Sequence, residues 1–255
     1  MRTVLSLVLL TACGAPPEAP KLRGQVTDAW NKPLAGVTIL AEGLEQRATT
    51  DAQGNFALPM MTGEVSLKAG MEGYIQDALT LQVDNPAAAP KADIKLYPKP
   101  EEDGFYAIGL GGYSKIEEQP VKARGTELES FYGLPSLGKV RVEAPLKVLF
   151  HTGWTYDEVQ RADLELVELS FTKASELDGA VGVANAEIDL YTKKRSIPVE
   201  ITALRSRSDY LITVGEELEP GSYAFHTQGT LTPRDQEAFS KVPENLRVAF
   251  PVQLR

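Results

Sequence analysis

The chain has 255 residues, 43% of them hydrophobic and 24% charged, proportions that exclude disorder or low complexity over most of its length. With 26 Lys+Arg against 35 Asp+Glu the net charge is −9, which excludes the basic face that phosphate binding requires, so no nucleic-acid partner is expected. A single cysteine excludes an intramolecular disulfide and a thiolate zinc cluster.

The N-terminus pairs Arg2 with an apolar run, Val4 to Leu10, that is too short to cross a bilayer as a helix. Leu10-Thr11-Ala12-Cys13 follows, placing the lone cysteine behind two small residues. This resembles the signal of a bacterial lipoprotein, cut before a cysteine that carries the acyl chains. The resemblance implies a signal peptide over 1–12, lipidation at Cys13 and a membrane partner through that anchor. Two or more acyl chains hold a protein at a membrane where one alone is marginal. Gly14 stands where an aspartate would mark retention at the inner membrane, so the resemblance implies the outer membrane of the cell envelope. Residues 13–20, rich in proline, read as a stiff extended tether.

Residues 21–97 alternate apolar and polar side chains in short runs. Leu22, Gly24 and Val26 form one run, Val37, Ile39 and Ala41 the next, then Phe56 and Leu58, Val65 and Leu67, and Leu79, Leu81 and Val83. Period-2 runs of this length predict antiparallel strands of a small sandwich. Asn31-Lys32-Pro33 and Asp51-Ala52-Gln53-Gly54-Asn55 predict turns, with Gly54 able to take a positive φ. The Asp51 segment also resembles the start of a calcium loop, but the bidentate glutamate such a loop needs is missing, and a turn is the reading taken. Gly24-x-Val26-x-Asp28, Pro33-Leu34-x-Gly36-Val37, Thr50-Asp51-x-x-Gly54-x-Phe56-x-Leu58 and Gly73-Tyr74 occur in that order. Together they resemble the carboxypeptidase regulatory-like domain. The resemblance implies a transthyretin-like sandwich of about seven strands, in the class of carbohydrate-binding-like folds, used as an accessory module of surface and secreted proteins. It implies no activity.

Pro98 to Gly104 combine proline with acids and carry no large apolar side chain, which predicts an interdomain linker. Over 105–255 the alternation returns at Val140 and Val142, Val148 and Phe150, Leu164 to Phe171, Ile188 and Leu190, Val199 and Ile201, Leu211 to Val214, Tyr223 and Phe225, and Val248 to Leu254. About eight strands are expected there, enough for a second sandwich with its own core. The fold class expected is therefore all-β, two sandwiches in tandem. Leu218-Glu219-Pro220-Gly221 predicts a turn that returns Tyr223 and Phe225 to one face. Two short helices are expected: one at the Thr155/Glu158 capping box, and one from Thr232-Pro233 to about Lys241.

Chemistry-bearing motifs are sparse. The two histidines, His151 and His226, lie outside any metal-ligand spacing, and both read as structural or exposed, so neither metal nor cofactor is expected. No Gly-x-Ser-x-Gly elbow occurs, and Gly109-x-Gly111-Gly112 lacks the lysine and strand–helix context of a phosphate loop and reads as a turn. The leading expectation is a non-enzymatic, lipid-anchored envelope protein whose β-domains bind or assemble with an envelope protein or a glycan. One alternative is a carbohydrate or cell-wall binding module, for which Trp30, Tyr113, Tyr132 and Trp154 are the candidate platform. Another is a hydrolase built on two carboxylates about 5–10 Å apart in a cleft.

Overall fold

The computed structural model describes residues 19–125, 130–173, 189–205 and 208–255. Cys13, the 1–12 signal and most of the 13–20 tether lie outside these residues, as does Ile188. The described chain is all-β, with strands in four sheets and two short helices.

Eight strands fall within residues 21–98: β1 (Lys21–Asp28), β2 (Thr38–Ala41), β3 (Arg47–Thr49), β4 (Asn55–Pro59), β5 (Gly63–Gly70), β6 (Tyr74–Ile75), β7 (Asp77–Val83) and β8 (Ile94–Pro98). They form two sheets ordered β4-β1-β8-β6 and β3-β2-β5-β7, antiparallel except where β1 runs parallel to β8. Period 2 decides which side chains meet. Leu22, Val26, Phe56, Leu58 and Leu96 of the first sheet face Ile39, Leu67, Ala69 and Val83 of the second. At the Asp51 turn, Asp51 Oδ1 accepts from the backbone amides of Gln53 and Asn55. Gly54 there has φ +74°, and a Cβ on it would stand 2.4 Å from the carbonyl oxygen of Val26. The position thus demands glycine on two counts.

The remaining strands run from β9 (Gly104–Ile108) through β10 (Tyr113–Ile116), β11 (Gln119–Pro120), β12 (Lys122–Gly125), β13 (Ser130–Leu134), β14 (Arg141–Val142), β15 (Lys147–His151), β16 (Glu165–Thr172), β17 (Leu190–Ile197), β18 (Val199–Ala203), β19 (Asp209–Val214) and β20 (Gly221–His226) to β21 (Val248–Leu254). Thirteen strands stand where about eight are expected. The surplus is mostly β9 to β13, which are too short, or too uniformly apolar, to show alternation. A five-stranded sheet, β10-β9-β15-β19-β18, packs on an eight-stranded one, β11-β21-β20-β16-β17-β13-β12 with β14 beside β21. Phe105, Val148, Phe150, Tyr210 and Ile212 meet Leu166, Ile197, Tyr223, Phe225 and Val252 between them. The Gly109–Gly112 segment is the β9–β10 turn, closed by a 3.0 Å bond from the Gly109 amide to the Gly112 carbonyl.

Both outer faces of this second unit are also used. Helix α2 (Gln236–Lys241) lays Phe239 against Tyr132, Val167 and Leu169 on the outer face of the eight-stranded sheet. The helix begins at Asp235, whose carboxylate accepts from the Ala238 amide. This corrects the expected start at Thr232-Pro233: an aspartate set in extended backbone is the better acceptor for orphan amides. Helix α1 (Tyr156–Arg161) carries the full capping box, Thr155 with Glu158. The outer face of the five-stranded sheet packs Tyr106 and Leu149, together with Leu204, against Ile75 and Tyr97 of residues 21–98. Between the two units, Lys99 donates its amide to Gly73 and Pro100 is buried, while Glu101, Glu102 and Asp103 are exposed.

Candidate functional site

Three neighbouring strands bring together what the sequence keeps far apart. In the five-stranded sheet His151 pairs in register with Asp209 on one side and with Gly104 on the other. Asp103 immediately precedes Gly104, so the order across the sheet end is Asp103, His151, Asp209. Nδ1 of His151 lies 2.5 Å from Asp209 Oδ1, and its Nε2 lies 3.9 Å from Asp103 Oδ1. Asp209 is buried, His151 is 9% exposed, and Asp103 reaches solvent. A carboxylate accepts only, so in the neutral imidazole the proton sits on Nδ1 and the Nε2 lone pair is left outward.

His151 lines a pocket of about 300 Å³ at the rim of the second sandwich. Phe105, Phe150, Trp154, Leu246 and Phe250 form its apolar walls. The rings are ordered: Phe105 stacks on Phe150 at 4.2 Å between centroids, and Trp154 stands edge-on to Phe150 at 5.9 Å. Its polar lining comprises Asp103, Glu118, His151, Thr152, Thr227 and Asn245. Trp154 is fixed through its backbone, whose carbonyl accepts the Tyr210 hydroxyl at 2.8 Å. Thr152 and Thr227 are the hydroxyls at hand, and among the described residues no hydrogen bond ties either to Nε2. Among the described residues no group of three or more His, Cys, Asp or Glu is arranged to hold a metal.

His226 is a different case. It is fully buried, its Nε2 lies 3.2 Å from Glu165 Oε2 off the hydrogen-bond direction, and neither ring nitrogen completes a hydrogen bond. Glu165 also accepts from the Thr232 hydroxyl. Contact with His226, above all, holds the Glu165 carboxyl down to about 2, against the opposing effect of partial burial. The pair joins β16 to β20.

The four aromatic candidates separate. Trp30 and Tyr113 do form a ring pair, 5.3 Å between centroids, but it is turned inward between the two units. Trp30 Nε1 donates to the Gly109 carbonyl at 2.7 Å and the Tyr113 hydroxyl donates to the Pro98 carbonyl at 3.1 Å. Burial pushes the Tyr113 hydroxyl far above the usual phenol range. Tyr132 is buried beneath Phe239. Trp154 is the most exposed of the four, at 39%, and it is the one at the His151 pocket. The sequence reading passed over Asp103, Glu118 and Asp209: the first fell in the expected linker, and no spacing signal links residues 58 apart such as His151 and Asp209. A larger open groove along β2 and β5, about 620 Å³, contains no buried polar side chain.

Residues 21–97 match the family model of the carboxypeptidase regulatory-like domain. No curated protein matches the sequence. Among solved structures the chain is similar to an N-terminal interface mutant of a type II cohesin–X-dockerin complex from Acetivibrio cellulolyticus. Identity there is 17%, coverage is 31% of this chain and 58% of that one, and the TM-score is 0.25. It is also similar to the major pilin subunit of Bacillus cereus, at 12% identity over 92% of this chain and 68% of that one, with a TM-score of 0.22.

Proposed function

We propose that this chain, with a carboxypeptidase regulatory-like domain at its N-terminal side, is a non-enzymatic cell-envelope protein, anchored by lipid at Cys13, that binds a partner through the second unit. The observation that carries the binding role is the His151 pocket: aromatic walls and, in its lining, a buried imidazole oriented by Asp209. An apolar concavity with a few fixed polar groups is what a ligand site requires. The Leu10-Thr11-Ala12-Cys13 sequence supports the anchor, and Gly14 supports the outer membrane as its place.

The anchor is tested by labelling cells with a palmitate analogue and fractionating them. The wild-type chain is expected in the membrane fraction with label. Cys13→Ser is expected to be unlabelled, because the thiol is the only acyl acceptor. A wild-type chain that is soluble and unlabelled would contradict the anchoring.

A further inference from the structure

We propose that the His151 pocket takes a cationic side chain, an ammonium or guanidinium group presented by a protein partner. This rests on the pocket being the binding site. The argument is an inventory of donors and acceptors. Asp103 and Glu118 are acceptors, and Nε2 of His151 is left an acceptor by the bond from Nδ1 to Asp209. Thr152, Thr227 and Asn245 can play either role. No lysine or arginine lines the cavity. Lys115, whose stem lies against Gly104, carries its ammonium to Glu102 rather than to Asp103 or Glu118.

A ligand that only donates matches this set. Guanidinium has five N–H donors and no acceptor, and ammonium has three. A sugar hydroxyl brings no charge to the two carboxylates, and an anion would be repelled by them. The ring of Trp154 at the rim adds a surface that favours a cation. A volume of about 300 Å³ suits one side chain rather than an extended glycan.

The test is calorimetric titration of the soluble Cys13→Ser chain with four probes: acetyl-arginine amide, acetyl-lysine amide, the neutral acetyl-citrulline amide and methyl β-glucoside. The two cations are expected to bind at millimolar concentration and to weaken as salt is raised. Asp103→Asn with Glu118→Gln is expected to weaken them about tenfold. Both carboxylates are exposed, so the variant should keep the parent's melting temperature. Citrulline binding as tightly as arginine, or a double variant that binds the cations unchanged, would overturn the cationic ligand while leaving the pocket as a binding site. The glucoside binding in place of the cations would overturn it in favour of a glycan. No heat from any probe would overturn the pocket reading as well.

Discussion

His226 and Glu165 show how one pair can be silent in function and still govern behaviour in acid. The Glu165 carboxyl sits near 2 beside the buried imidazole, against 4.5 for an ordinary glutamate. A carboxylate whose folded value is depressed adds stability above its unfolded value, and that stability drains away as pH falls through the folded value. The contribution is thus present at neutral pH and lost between about pH 4.5 and about pH 2. Glu165 is one-third exposed, so solvent screening limits the effect to about 1 kcal/mol. Glu165→Gln is expected to lower the urea midpoint near neutral pH and to match the wild type at about pH 2. A difference between the two proteins that is the same at both pH values would contradict this origin. The functional residues were hard to see for a related reason. Both histidines follow apolar strand residues, and only the register of β15 with β9 and β19 tells the sealed one from the one that reaches a pocket.

At the level of elements, strands with one wet face announced themselves and strands with two dry faces did not. β1, β4 and β5 alternate cleanly, and their core residues could be named from period 2 alone. β15 reads Lys-Val-Leu-Phe-His, buried from Val148 onward. Val148 and Phe150 enter the sandwich core while Leu149 enters the layer under Ile75 and Tyr97. β9 is dry on both sides at Phe105-Tyr106-Ala107 and was not recognised as a strand at all. Continuous apolar runs are what strands covered on both faces look like. The five-stranded sheet is therefore a shared layer, and we propose that the two units behave as one cooperative body. Trp30 is one of the side chains that join them, through Gly109 and Tyr113. Trp30→Ala is expected to cost the intact chain about 2 kcal/mol, below the loss for a fully buried tryptophan, and to split its calorimetric melt into two transitions. An unchanged single transition would show that the contact couples nothing.

Taken whole, the molecule is a chain whose first domain and fold class were legible, and whose site was not. The first domain is a run of ordered local motifs, which survive in one dimension. The pocket is assembled from a connection (Asp103), a strand end (His151), a strand start (Asp209) and a rim aromatic (Trp154), drawn together only by sheet topology. The central claim is that His151 serves this pocket while His226 serves the core. With two histidines in the chain, a carbon-edited spectrum of their ring Cε1–H groups holds two signals, assigned by His151→Gln. Titration of the Cys13→Ser chain with acetyl-arginine amide is predicted to move the His151 signal and leave that of His226 in place. Two signals that move together, or a His151 signal that stays fixed while the probe binds, would contradict the account.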